Sequence, residues 1–161
     1  MNTRIGYGYD IHQLIKGTTL YLGGIKLQHD TTALAHSDGD VLIHAICDAL
    51  LGAAALGDIG SHFPDNDPAY RDIDSKIILE RTIQIIQTHH FVIGNIDSTI
   101  ILEKPKLKEH IPQMISTLTS IMHINENQLS IKATTHEKLG PLGNEEAIAC
   151  HAVALLETAL F

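Results

Sequence analysis

At 161 residues, 44% of them hydrophobic but only 4% aromatic and none Trp, the chain has the size of one domain with a core of Ile, Leu, Val and Ala. Its formal charge of -8 argues against a nucleic-acid sheath or an anionic membrane as partner. It still permits an anionic substrate wherever lysines, backbone amides and metal ions supply local positive charge. Cys47 and Cys150 make neither a Cys-x-x-Cys pair nor a disulfide framework. The first residues lack the apolar core of a signal peptide, and no apolar run reaches membrane-spanning length. A soluble, cytoplasmic protein is expected.

Residues 5–14 read as a strand holding Gly6 and Gly8, and residues 20–27 as a hairpin turning at Gly23-Gly24. A helix is predicted over 38–56, capped by Ser37 or Asp38, with Leu42, Ala45, Ile46, Ala49 and Ala53 as its apolar stripe. Gly57-Asp58-Ile59-Gly60 stops it, and a turn-rich loop follows over 63–68. A second helix is expected at 74–88, a strand at 91–102 broken by Pro105, and a third helix at 109–122. Residues 128–135 alternate as a strand, 137–144 read as a Gly- and Pro-containing loop, and the Ala-rich stretch 145–160 is helical by propensity. The mixture predicts one α+β (mixed α/β) domain over residues 1–161, with no internal repeat or linker.

Asp10 and His12 are two apart on a strand, so their side chains share a face. His44 lies on the first helix in a polar stripe with Asp40 and Asp48. Alone, that stripe reads as a solvated helix face and Asp-x-His as ordinary loop chemistry. Joined, Asp10, His12 and His44 make an N/N/O donor set suited to zinc with one position left open, and Asp40 is a candidate partner behind the ligands. Lys104-Pro105-Lys106-Leu107-Lys108 is a basic patch that Pro105 stiffens, and Thr134-Thr135-His136-Glu137 follows a strand directly. Hydroxyls and a carboxylate there can meet phosphate oxygens and Mg²⁺; solvated loop and ordinary turn are the plainer readings. Neither a P-loop, a Rossmann fingerprint nor a nucleophile elbow is present.

Gly8-Tyr9-Asp10-Ile11-His12, Ala35-His36-Ser37-Asp38-Gly39-Asp40, Asp58-Ile59-Gly60, Phe63-Pro64-Asp65 and Lys132-Ala133-Thr134-Thr135 occur in that order. In this combination, over essentially its full length, the chain resembles the 2-C-methyl-D-erythritol 2,4-cyclodiphosphate synthase family. The resemblance implies a mixed β-sheet packed on helices, assembling as a homotrimer around a central β-prism with active sites between subunits. It implies a small-molecule substrate, a cytidine diphosphate derivative cyclised with release of CMP. By motif, Asp10, His12 and His44 would hold Zn²⁺, and Glu137 a Mg²⁺ or Mn²⁺ at the diphosphate. His36 and Thr135 would stabilise the transition state. His36 and Ser37 would meet the methylerythritol phosphate, and Asp58, Ile59 and Gly60 the ribose. Phe63, Pro64, Asp65, Asn66 and Asp67 would line the pocket. Leu102, Glu103, Lys104, Pro105, Lys106, Leu107 and Lys108 would hold the cytidine end from the neighbouring subunit. Thr134, Thr135, His136 and Glu137 would bind the diphosphate. Pro141 and Asn144 stand where the family often has Phe and Arg, His136 where Thr is common, and Tyr7 where His is frequent. The family's last segment is a strand, against the propensity of 145–160. Hydrolysis by a zinc phosphodiesterase and a non-catalytic metal scaffold are the competing readings of the same ligands.

Overall fold

The structure, a computed structural model, describes residues 3–64, 67–70 and 72–159. In chain order the elements are β1 (Thr3–Lys16), β2 (Thr19–Leu22), β3 (Ile25–Gln28), β4 (Thr31–Leu34), α1 (Val41–Ala53), α2 (Ile59–His62), α3 (Ser75–Thr88), β5 (Phe91–Ile101), α4 (Ile111–Met122), β6 (Leu129–Thr134), α5 (Gly140–Gly143) and β7 (Ala147–Thr158). Five strands form one mixed sheet in the order β4-β1-β7-β5-β6, and β2 and β3 form a separate hairpin. Only β5 and β6 run parallel, and α4 lies between them in the chain, as a parallel pair requires a crossover. The hairpin turns at Gly23 and Gly24, φ +62° and +74°, the pair of left-handed conformations that a type I′ turn needs.

Alternation along β1 sends Gly6, Gly8, Asp10 and His12 toward the helices, and Ile5, Tyr7, Tyr9 and Ile11 to the exposed face. The glycines let α1 descend onto the sheet: a Cβ on Gly6 or Gly8 would lie 1.9 Å from the carbonyl oxygen of Ala49 or Ala45. Ala45, Ala49 and Ala53 offer the matching small surface on the helix. With the sheet beneath and α3 against it, α1 has 11 of its 13 residues buried.

Several boundaries and one element differ from the sequence reading. The first helix runs Val41–Ala53, not 38–56, and its N-cap is Asp40, whose side chain accepts from Ile43 N. Gly39 at φ +74° prevents an earlier start, and Ala55 and Gly57 at φ +59° and +85° end the helix before residue 56. Being buried nearly all round, α1 has no solvated face, so Asp40, His44 and Asp48 are not a surface stripe. The third helix starts at Ile111, and residues 140–143 of the expected loop form the single turn α5. The Ala-rich stretch is strand β7, as the family resemblance implied and against its propensity. Paired to β1 on one side and β5 on the other, it is the middle strand of the sheet, and Ala152 and Ala154, opposite Gly8 and Gly6, lie where α1 crosses. Tertiary contacts override local preference here.

Candidate metal centre and active-site cleft

The two-residue period of β1 brings Asp10 and His12 to one face, and the first turn of α1 sets His44 above them. His44 Nδ1 lies 2.9 Å from Asp10 Oδ2, His12 Nε2 lies 3.0 Å from the same oxygen, and the two ring nitrogens are 3.1 Å apart. The imidazoles stand edge to face, with an interplanar angle of 88°. Burial alone would raise the Asp10 pKa, but the hydrogen bonds and charges of His12 and His44 reverse this and hold the carboxyl well below the usual range. Burial would lower the His44 pKa, and Asp10, by hydrogen bond and charge, with Asp40 and Asp38 behind it, holds it above the ordinary value. Three donor atoms converging from both sides on one point must share a proton or a cation. Their N/N/O chemistry fits a divalent metal, and among the described residues this is the one cluster of His, Cys, Asp or Glu so placed.

The other nitrogen of His44, Nε2, faces Ser75 Oγ at 2.9 Å and Ser37 Oγ at 3.2 Å. Asp40, expected as a partner of the ligands, is spent elsewhere. Fully buried, it accepts from Gly23 N at 2.9 Å, Gly24 N at 2.7 Å and Ile43 N at 3.1 Å, fastening the β2–β3 turn to the start of α1.

The three ligands lie in the wall of a cleft of about 300 Å³ that His36, Ser37, Ile59, Gly60 and Phe63 also line. Asp48, Tyr70, Ile73 and Ile78 line it too and were not anticipated. Asp48 was readable as the residue one turn beyond His44, whereas Tyr70 and Ile73 come from a loop with no periodic signal. Burial pushes the Asp48 carboxyl up, and its Oδ1 accepts from Ile59 N at 2.8 Å, so it also holds the start of α2. Asp58 caps α2, with Oδ1 accepting from Ser61 N at 2.9 Å and Ser61 Oγ at 2.6 Å. Phe63 is buried, edge-on to Tyr70, and Pro64 is exposed with its carbonyl accepting from Asp67 N. Asp65 and Asn66 lie outside the described residues.

The remaining motif residues gather at the ends of β5 and β6, and none of them lines this cleft. The register places Ile101 opposite Ala149 and His12 opposite Ile148, so β5 and β1 are separated here by β7, roughly 10 Å in all at one strand spacing each. Leu102 and Leu107 are core side chains, which leaves their backbone for any ligand, while Lys104 pairs on the surface with Glu145 at 2.8 Å. Glu103 Oε1 accepts from His136 N at 2.8 Å and from Lys138 N at 3.3 Å, tying the 102–108 loop to the 134–138 segment. Thr134 Oγ1 donates to Thr135 O, and Thr135 Oγ1 to Glu137 Oε1 at 2.9 Å. His136 Nδ1 donates to Leu139 O at 2.7 Å, Pro141 lies in the first turn of α5, and Asn144 is its C-cap. Glu137 and Lys138, at φ +51° and +61°, are successive left-handed residues, a costly backbone that the Glu103 contacts offset.

Residues 3–157 match the YgbB family. A Bacteroides fragilis protein named 2-C-methyl-D-erythritol 2,4-cyclodiphosphate synthase is 55% identical over 156 residues, covering 97% of this chain and 98% of that protein. Among solved structures, the bifunctional IspDF from Campylobacter jejuni aligns with a TM-score of 0.94 at 35% identity, covering 98% of this chain and 42% of that one. An IspF from Plasmodium falciparum, solved as a CDP complex, aligns at 0.86 with 38% identity, covering 98% of this chain and 97% of that one.

Proposed function

The chain belongs to the YgbB family, whose named relatives are 2-C-methyl-D-erythritol 2,4-cyclodiphosphate synthases, and from that premise we propose how its site works. It converts 4-diphosphocytidyl-2-C-methyl-D-erythritol 2-phosphate to 2-C-methyl-D-erythritol 2,4-cyclodiphosphate and CMP, in the non-mevalonate route to isoprenoid precursors. A 2-phosphate oxygen forms a bond to the β-phosphorus. The bond from that phosphorus to the bridging oxygen breaks, and CMP departs with the electron pair. The step is intramolecular displacement of CMP at the β-phosphorus, which groups it with the phosphorus–oxygen lyases, and it needs no protein nucleophile. The protein's task is to bend the substrate, align attacker and leaving group, exclude water and neutralise charge.

The observation that carries this reading is the Asp10–His12–His44 triangle opening onto a cleft shared with His36 and Ser37. Ligands about 2.0–2.1 Å from a tetrahedral zinc lie roughly 3.3 Å apart, a few tenths beyond the 2.9–3.1 Å edges seen here, so zinc suits the triangle. Glu137 is assigned a Mg²⁺ or Mn²⁺ at the diphosphate. Bound in these places, the cations supply charge neutralisation to the phosphates. His36 and Ser37 hold the methylerythritol phosphate, with His36 donating toward developing charge, and Asp58, Ile59 and Gly60 meet the ribose. Thr134, Thr135, His136 and Glu137 cradle the diphosphate. Thr135 reaches it by releasing its hydrogen bond to Glu137. The 102–108 loop holds the cytidine through its backbone and lysines.

The substrate needs both residue groups at once, and a neighbouring copy can bring its loops to this cleft. The sheet face turned away from the helices supports a homotrimer, with Ile5 72% and Tyr7 59% exposed beside Tyr9, Ile11 and Val153. No helix among the described residues is long and apolar enough to cross a membrane. Cys47 and Cys150 are free thiols, which supports our reading of a reaction in a reducing compartment, the cytoplasm. Phosphorus NMR of the product tests the reading. The cyclodiphosphate is expected from the native protein and none from a folded His44→Ala variant. A linear methylerythritol bisphosphate as main product would overturn it in favour of hydrolysis.

A further inference from the structure

Behind the ligand His44 stands a short polar chain that runs through a buried serine to the half-buried Asp38. Ser75 is the first residue of α3 and fully buried. Its Oγ donates a short hydrogen bond to Asp38 Oδ1. Asp38 is itself fixed: Oδ2 accepts from Ser75 N at 3.0 Å, and Oδ1 accepts from Asp40 N at 3.2 Å. A carboxylate has no hydrogen to give, so the single hydroxyl hydrogen of Ser75 is committed to Asp38. What Ser75 Oγ has left for His44 Nε2, 2.9 Å away, is a lone pair. Ser37 Oγ, at 3.2 Å from Nε2, is the farther contact and can accept as well. With a cation in the triangle Nε2 therefore carries the ring proton, held by the buried Ser75 acceptor, and the Nδ1 lone pair faces the point shared with Asp10 and His12.

We propose that Ser75, backed by Asp38, is a positioning residue that fixes the tautomer and ring orientation of His44 and thereby sets the affinity of the metal centre. The inference rests on the metal reading above and goes beyond it, because neither residue supplies a donor atom to the triangle. The relay also spans three parts of the fold: α3 through Ser75, the turn before α1 through Asp38, and α1 through His44. Partners placed behind metal ligands in this way typically alter affinity by about 10- to 100-fold. Ser75→Ala removes the acceptor and frees the ring. Asp38→Asn does more, because an amide nitrogen facing Ser75 Oγ reverses the polarity: the serine then donates to Nε2, and the proton moves to Nδ1, where the metal must bind.

The test is titration of metal-stripped protein with Co²⁺, read from its visible absorption, for the native chain, Ser75→Ala and Asp38→Asn. Melting temperature and circular dichroism serve as folding controls. Ser75→Ala should bind roughly 10- to 100-fold more weakly with its fold intact, and Asp38→Asn at least as weakly. Nitrogen-15 spectra of the zinc-loaded native protein should place a slowly exchanging proton on His44 Nε2, and this proton should exchange faster in Ser75→Ala. Equal Co²⁺ affinity in all three proteins, or a proton found on Nδ1, would overturn the inference while leaving the metal site standing. Failure of the native protein to bind one equivalent would overturn both.

Discussion

Replacing Gly8 by alanine should break the metal centre without altering any of its ligands. The new Cβ would point at α1 and lie 1.9 Å from Ala45 O and 2.8 Å from Ala49 N. Real Cβ atoms keep at least 3.0 Å from such neighbours, so going from 1.9 to 3.0 Å demands a parting of strand and helix of about 1.1 Å. The wedge sits two residues from Asp10 on one side and next to His44 on the other. Metal sites hold their ligand distances to about 0.2 Å, so a 1.1 Å parting is several times what the triangle tolerates. We expect Co²⁺ affinity to fall on the order of 100-fold or more, beyond what loss of a supporting partner causes. Overpacking should also cost about 1–3 kcal/mol of stability, measured by urea denaturation. Gly6→Ala separates the two effects. Its Cβ would meet Ala49 O at the same 1.9 Å, but farther along α1 from His44. It should cost similar stability and much less affinity. Native Co²⁺ binding by a folded Gly8→Ala protein would refute the reasoning, as would equal affinity losses in the two variants.

Asp40→Ala removes a cap worth ~1 kcal/mol and orphans the Gly23 and Gly24 amides at ~1–3 kcal/mol each, so a loss of roughly 3–7 kcal/mol is expected in urea unfolding. A loss under about 1 kcal/mol would mean that water replaces the carboxylate freely. Glu103→Ala should raise KM for the cytidine substrate, on the order of tenfold for about 1.4 kcal/mol of lost positioning, with little change in melting temperature. Glu103→Gln should stay near native, since a single oxygen accepts both amides. Equal defects in the two Glu103 variants would show that the charge matters and the clamp does not. Burial pushes the Cys47 thiol up to about 12 and Cys150 higher still, so neither should react with an aromatic disulfide at pH 8 until urea unfolds the chain. Rapid labelling of the native protein would contradict their packing.

Much of this was legible because the periods are simple. A two-residue spacing puts Asp10 and His12 on one face whatever else the strand does, and Gly23-Gly24 between apolar runs announces a hairpin. Other features depend on distant neighbours. Ser37, Asp38 and Asp40 all have cap chemistry. Which one caps α1 is decided by Gly39 and by the hairpin amides that Asp40 must also serve. The alanines of β7 favour a helix locally and became strand because the sheet's middle position, under α1, requires small residues paired on both sides. Glu103 was legible as a member of the loop but not as its fastening to His136 and Lys138. Ser75 looks like any serine after a capping aspartate. Only the packing of α3 against α1 brings it to His44.

The position of β7 bears on how the chain is made. Synthesis delivers β1 and β4 first and β5 and β6 much later, yet the strand that joins the two pairs follows all of them. Until it emerges, β1 and β5 each present an unpaired edge, and α1 has only half its floor. The contacts β7 makes with β1 are among the longest in sequence, Thr3 pairing with Glu157, so the sheet cannot close before β7 has been made. Asp10 and His12 sit opposite Cys150 and Ile148 on that strand. A nascent chain thus carries all three metal ligands long before it has the scaffold that makes them converge, and metal capture reports completion of the fold.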